Sequence, residues 1–145
     1  MKQIETELII NAPSEVVWGA LMDFSSYPSW NPFIVSIKGQ KQVGKHIQVL
    51  IKTKNGKEMG FEPIVLKLDE NDEFRWRGKL GIRGIFDGEH YFALEPLSND
   101  QTRFIHGEFF SGILVGIMGN LLKDTKASFE EMNQALKLRC ELTKY

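Results

Sequence analysis

Two histidines and a glutamate on neighbouring strand-like segments are the polar side chains best placed for chemistry. His90 alternates with Phe92, and His106 alternates with Glu108, so each pair shares one face of an extended strand. An imidazole with a pKa of about 6.5 can move protons at neutral pH. A carboxyl in an apolar cavity stays partly neutral and can act as an acid. These side chains are therefore candidate catalytic residues.

Two alternatives compete with catalysis. The first, which is favoured, is that His106 and Glu108 only hydrogen-bond neighbours and fix strand geometry, because buried polar groups are usually satisfied structurally. The second is a metal site, since two histidines and a carboxylate are a known ligand set. No tight local spacing such as H-E-x-x-H is present, so we expect no metal and no cofactor.

Other reactive motifs give weaker signals. The segment Gly81-Ile82-Arg83-Gly84 does not follow a strand and open a helix, as a dinucleotide-binding motif must. Glycines spaced through 78–88 indicate either a lid over a cavity or a simple connection. Cys140 is the only cysteine, and its place near the end of an amphipathic helix predicts a buried apolar residue rather than a nucleophile.

The composition describes an ordinary globular chain of 145 residues with a formal net charge of -1. That charge provides no field to attract nucleic acid. A lone cysteine fits a reducing cytoplasm. The first ten residues lack the features of a signal peptide, and the apolar run 113–118 is too short to cross a bilayer. We expect a cytoplasmic protein with no nucleic-acid partner and no stable membrane insertion, and the oligomeric state stays open.

The elements that must position these residues follow from hydrophobic periodicity. Period-two patterns predict about seven strands, at residues 3–10, 33–38, 46–52, 58–68, 73–80, 86–97 and 102–110. Ser14 is expected to cap a short helix at 15–22, and 23–30 forms a second short helix or turn. Asn55-Gly56 predicts a hairpin. Ile34 and Ile105 are expected on the exposed face of the sheet.

A long helix predicted at 113–142 ends the chain, with Phe129, Met132, Leu136 and Cys140 on one face. Short turns between successive strands imply antiparallel neighbours. Strands and helices segregated in this way predict an α+β fold. One helix covers only a strip about 10 Å wide, so a broad curved sheet leaves space beside it for large side chains or for a pocket.

Several segments together resemble a known superfamily. They are 10–18, 27–33, 74–78, 86–92 and 102–112. They are similar to the START-like (SRPBCC) ligand-binding superfamily, in its polyketide cyclase/dehydrase-like branch, over about residues 4–142. The resemblance implies one START-like domain over 1–145 with a helix-grip fold, in which the sheet and the long helix enclose an apolar cavity. It is weak for function, because the superfamily includes lipid carriers, hormone receptors, cyclases and co-chaperones.

Large aromatic side chains suit an apolar, partly aromatic ligand, although ordinary core packing explains each one singly. The predicted ligand contacts are Trp30, Phe33, Trp76, Phe86, His90, Phe92, His106, Glu108, Phe110, Leu114, Met118 and Leu122. The leading functional hypothesis is binding or transport of a small hydrophobic molecule, lipid-like or aromatic. The alternatives are a cyclase or dehydratase that uses acid–base catalysis, and a co-chaperone-like interaction protein.

Overall fold

The computed structural model describes residues 2–79, 87–112 and 119–143, with side chains of the last segment described from residue 122 onward. Its strands are β1 (Lys2–Ile10), β2 (Ile34–Gly39), β3 (Ile47–Lys52), β4 (Glu58–Phe61), β5 (Ile64–Asp69), β6 (Glu73–Lys79), β7 (Asp87–Ser98) and β8 (Gln101–Ser111). Its helices are α1 (Ser14–Met22), α2 (Tyr27–Trp30) and α3 (Gly119–Leu142), and a short 3₁₀ turn, Phe24–Ser26, precedes α2.

The strands form two antiparallel sheets. One has the order β1-β8-β7-β6-β5 and the other the order β2-β3-β4. A bridge between His46 and Ile64 and a hydrogen bond from the Ile47 amide to the Pro63 carbonyl (2.9 Å) join the two sheets. Helix α3 packs on β1 and also contacts β8 and α1. The predicted α+β helix-grip architecture is confirmed.

The predicted strand at 58–68 is wrong, because it is two strands. β4 ends at Phe61 and β5 begins at Ile64, and these strands belong to different sheets. Pro63 lies between them and has no N–H to donate to a ladder, so a continuous strand is disfavoured at this point. The described residues therefore contain eight strands rather than about seven.

The predicted cap at Ser14 is also wrong. Pro13 occupies the N-cap position of α1, and no side chain caps the helix. The Ser14 hydroxyl instead lies 3.0 Å from the Thr102 hydroxyl, which donates to the Ala12 carbonyl at 2.9 Å. A buried hydroxyl pair thus joins the start of α1 to β8.

The hairpin at Asn55-Gly56 exists, but its loop spans 53–57 between β3 and β4. Gly56 has a φ of 85°, which glycine adopts without the steric penalty of a Cβ.

Ile34 was expected on the exposed face, and it is fully buried. The β2–β3 register shifts between Ile34 and Ser36, which marks a bulge. The extra residue changes the alternation, so both Ile34 and Ile37 point inward. Ile105 is half-buried.

Aromatic rings dominate the core between sheet and helix. Phe74, Trp76, Phe92 and Phe104 are almost fully buried on the inner face of the larger sheet. Phe129, Met132, Leu136 and Cys140 form the buried face of α3, as the helical spacing predicts. None of the helices within the described ranges has the length and apolar character needed to cross a bilayer.

Candidate functional site

A cavity of about 380 Å³ lies between the two sheets and α3. Its apolar wall includes Phe33 from the segment before β2, Phe61 from β4, Trp76 from β6, Phe110 from β8 and Leu122 from α3. The polar groups on its wall include His90 and Glu108, with the charged side chains Lys54, Lys79 and Asp124. Mostly apolar walls with a few placed polar groups are typical of ligand cavities.

The structure brings six of the predicted contact residues to this cavity. They are Phe33, Trp76, His90, Glu108, Phe110 and Leu122. Phe86, Leu114 and Met118, together with the glycine-spaced segment 80–86, lie outside the described residues.

Three other predicted contacts, Trp30, Phe92 and His106, are absent from the described lining. The Trp30 ring packs on Tyr27 with 5.3 Å between centroids. Phe92 is fully buried among other rings, 6.0 Å from both Phe74 and Phe104. His106 is fully buried behind His90.

The β7–β8 register sets the geometry of the polar residues. His90 lies directly opposite Glu108, and Phe92 lies directly opposite His106. Side chains directly across an antiparallel pair are about 5 Å apart, and diagonal neighbours remain within reach of large rings. The two imidazoles therefore meet on a diagonal, with Glu108 beside His90.

A continuous hydrogen-bonded chain runs from the cavity wall to β1. Glu108 Oε1 lies 3.1 Å from His90 Nδ1, and His90 Nε2 lies 2.7 Å from His106 Nε2. His106 Nδ1 lies 2.8 Å from Asn133 Oδ1 on α3. Asn133 Nδ2 donates to Thr6 Oγ1 at 2.7 Å, and the Thr6 hydroxyl donates to the His106 carbonyl at 2.9 Å.

The last acceptor of this chain fixes its direction. A backbone carbonyl can only accept, so the one hydroxyl proton of Thr6 is committed to it. The Thr6 oxygen then accepts from the Asn133 amide, which turns Asn133 Oδ1 toward His106. His106 Nδ1 must therefore carry a proton. If the ring is neutral, its Nε2 accepts from His90 Nε2, and His90 Nδ1 is left with a lone pair.

Burial keeps all three titratable groups of the chain neutral. It lowers the pKa of His90 to about 3. It also lowers the pKa of His106 well below its usual value, with a smaller contribution from the neighbouring His90. Burial raises the pKa of Glu108 to about 8. Near neutral pH the site is therefore a carboxylic acid followed by two uncharged imidazoles.

Aromatic stacking holds both imidazole planes. His106 stacks on Phe129 with 4.1 Å between centroids and 9° between planes. His90 stacks on Trp76 with 4.8 Å and 17°. The rings are wedged between the inner sheet face and α3, so neither imidazole can rotate without displacing a core aromatic residue. Packing as well as hydrogen bonding therefore maintains the donor–acceptor direction of the hydrogen-bonded chain.

Comparison with known proteins identifies the family. A family model described as polyketide cyclase / dehydrase and lipid transport matches residues 1–141. The chain belongs to this family. No curated protein matches the sequence. The START-like resemblance inferred from the sequence is confirmed.

Solved structures of the same fold cover nearly the whole chain. A START superfamily protein from Mycobacterium smegmatis is 21% identical, with a TM-score of 0.75, over 98% of this chain and 99% of that one. The Zhui aromatase/cyclase from a Streptomyces species is 15% identical, with a TM-score of 0.77, over 97% and 93%. A Thermus thermophilus protein is 17% identical, with a TM-score of 0.76, over 99% and 100%. At these identities the likeness shows the fold alone.

Sequence reasoning missed two members of the polar chain, Thr6 and Asn133. Asn133 lies four residues after Phe129 and three before Leu136, so helical spacing already put it on the buried face. A polar residue on a buried face signals a hydrogen-bonded network. Thr6 alternates with Ile4 and gave the same signal. Within the described residues, no three His, Cys, Asp or Glu side chains are grouped closely enough to hold a metal ion.

Proposed function

We propose that this family member binds one small, predominantly apolar molecule in the cavity between its sheets and α3. The observation that carries the proposal is the cavity itself, whose volume of about 380 Å³ falls within the ordinary range for ligand pockets. Four aromatic side chains supply flat apolar walls, which favour a ring-containing or lipid-like ligand. Transport of such a molecule is part of the same proposal, as is a location in the cytoplasm, whose reducing conditions fit the free thiol of Cys140.

A second candidate function is acid–base catalysis on the bound molecule. Its specific support is that Glu108 and His90 both lie on the cavity wall and are hydrogen-bonded to each other. A carboxylic acid with a pKa of about 8 keeps its proton at neutral pH, and in this version that proton would pass to the bound molecule instead of being held by His90. Turnover that survives replacement of Glu108, His90 and His106 together would exclude this version. A well-filled interior would favour the co-chaperone-like alternative, and the presence of the cavity argues against it.

A pair of neighbouring positions on β3 tests the binding proposal. Ile51 lies on the cavity wall, whereas Leu50 projects from the other face of the strand beside Gly60. Tryptophan at 51 fills cavity space, and tryptophan at 50 adds the same ring outside it. The probe is phenylnaphthylamine, a neutral dye whose fluorescence rises in apolar surroundings.

We expect the dye to bind with one-to-one stoichiometry. Ile51→Trp is expected to weaken binding about tenfold or more, since it removes apolar contacts worth at least about 1.4 kcal/mol. Leu50→Trp is expected to leave the affinity within about twofold. No saturable binding, or equal losses in the two variants, would contradict binding in this cavity.

A further inference from the structure

We propose that the polar end of the cavity selects ligands that present a hydroxyl or N–H donor, with the outer carboxyl oxygen of Glu108 as the acceptor. The inference rests on the proposed function and names the ligand chemistry of the same site. It follows from the direction of the hydrogen-bonded chain and from the position of the two Glu108 oxygens.

The inner oxygen of Glu108 is already committed. His90 Nδ1, at 3.1 Å from Oε1, offers a lone pair, because the proton of that ring is on Nε2 and points to His106. Two acceptors at hydrogen-bond distance would repel each other, so the carboxyl must supply the proton between them. Neutral Glu108 therefore donates its only proton to His90. It has none left for a ligand.

The outer oxygen of Glu108 lies against a gap in β7. A Cβ placed on Gly88 would be 2.1 Å from Glu108 Oε2, so the absence of a side chain at 88 makes room for this oxygen. Gly88 itself lies on the cavity wall, and the Glu108 side chain is 18% exposed there. Of the residues that the structure describes, His90 is the one hydrogen-bond partner of Glu108. Oε2 therefore accepts no hydrogen bond from the described residues, and because it lies over Gly88, which lines the cavity together with Glu108, we infer that it is the oxygen a ligand would meet.

This polarity discriminates between similar ligands. A phenol or alcohol donates to Oε2 and completes its hydrogen bonding, whereas an ether or ketone of the same shape brings a second acceptor to it. A ligand carboxylate would be repelled for the same reason. Of the two lysines on the described cavity wall, Lys54 and Lys79, the first is already paired with Glu131 at 2.8 Å. A site that leaves a desolvated acceptor unpaired rejects the wrong ligand more strongly than an apolar wall does.

Naphthol and its methyl ether test the proposal, with binding measured by calorimetry in mildly acidic buffer. The ether is the more apolar molecule, so an apolar cavity without hydrogen-bond selection binds it at least as tightly. We expect the wild-type protein to bind naphthol about tenfold more tightly than the ether. Glu108→Leu removes the acceptor and is expected to reduce the ratio to within about twofold, with binding of the ether retained.

Glu108→Gln tests the donor–acceptor direction of the hydrogen-bonded chain. If His90 Nδ1 carries a lone pair, the glutamine amide N–H₂ turns toward it and the amide oxygen faces the cavity, so the naphthol preference persists. If His90 Nδ1 carries a proton, the glutamine oxygen turns inward and its N–H₂ faces the cavity. The preference would then be lost or move toward the ether, and that result would overturn the proposal.

Histidine tautomers give a test that needs no ligand. Long-range nitrogen–proton NMR correlations are expected to show His90 protonated on Nε2 and His106 on Nδ1. Any other pair of tautomers at neutral pH would overturn the proposal that the site selects hydrogen-bond donors, whatever the cavity binds. Equal affinity for naphthol and the ether in the wild-type protein overturns the selectivity but leaves the binding function standing. Failure of both compounds and of the dye to bind overturns the binding function itself.

Discussion

Replacing Glu108 by glutamine should make folding stability less dependent on pH, because this carboxyl binds its proton more tightly when folded than when unfolded. Its pKa rises from 4.5 to about 8 on burial. Between these values the unfolded chain releases the proton and the folded chain keeps it. Stability therefore falls as pH rises through that window. Glutamine keeps the donor to His90 and has no proton to lose.

The size of the effect follows from the slope of the linkage relation. One group contributes about 1.36 kcal/mol per pH unit inside its window. From about pH 5.5 to about pH 7.5 the wild-type protein should lose at most about 2.7 kcal/mol relative to Glu108→Gln. The Glu108 side chain is 18% exposed to the cavity, so screening lowers the expected value to about 1–2.7 kcal/mol.

The histidines do not obscure this comparison. Their folded pKa values are lowered, so their contribution is complete above the unfolded value of 6.5 and is lost as pH falls toward about 3. Both proteins share that contribution, and it cancels in the difference. Lys54, Lys79 and Asp124, the other charged side chains on the described cavity wall, are also common to both.

Urea unfolding followed by tryptophan fluorescence at four or five pH values measures the difference, provided that the denaturant dependence is equal for the two proteins. A difference in free energy that is flat across the window would refute the reasoning. It would mean that Glu108 is ionised and paired with a protonated His90, or that water enters the cavity freely enough to restore its usual pKa.

Two further pairs of substitutions, each a test with its control, probe the hydrogen bonds behind the site and the packing of the sheet. Asn133→Ala leaves the His106 Nδ1–H without its acceptor and the Thr6 oxygen without its donor, and it should lower the free energy of unfolding by about 2–4 kcal/mol. Gln134→Ala, at the exposed neighbour on α3, should change it by less than about 0.5 kcal/mol. In Gly107→Ala the new Cβ would lie 2.3 Å from a tyrosine hydroxyl and 2.8 Å from a β1 carbonyl, so the backbone must shift and stability should fall by about 1–3 kcal/mol. Gly19→Ala, in α1 with nothing within 4 Å, should instead stabilise by up to about 1 kcal/mol, and similar melting shifts for the two glycine variants would contradict the packing argument.

Alternation along single strands was predictable because it depends only on local geometry. His90 and Phe92 share a face of β7, as Phe104 and His106 do on β8, and all four are buried as the period-two pattern requires. What the sequence could not supply is the pairing across strands. A register shift between Pro96 and Ser98 sets which residues face each other, and a slip of one residue would separate His90 from Glu108.

The wall of the cavity was harder to predict than its polar end. Phe61 and Ile51 reach it from the smaller sheet, because the strand is interrupted at 62–63 and β4 joins a different sheet from β5. Sequence periodicity reads 58–68 as one continuous run, since it carries no information about which sheet a strand joins. In the same way, which turn of α3 faces Thr6 depends on the angle at which the helix crosses the sheet, and that angle is set by the assembled core.

The carbonyl at the end of the hydrogen-bonded chain belongs to His106, a member of the same chain, so Thr6, His106 and Asn133 close a ring that joins β1, β8 and α3. None of these three residues lies on the described cavity wall, yet together they set the donor–acceptor direction of the hydrogen bonds that lead to His90 and Glu108 on it. Divergence within the family could therefore invert ligand preference through positions 6 and 133 while leaving the lining unchanged. Two homologues with identical walls would then have different specificities, and a comparison limited to lining residues would group them wrongly.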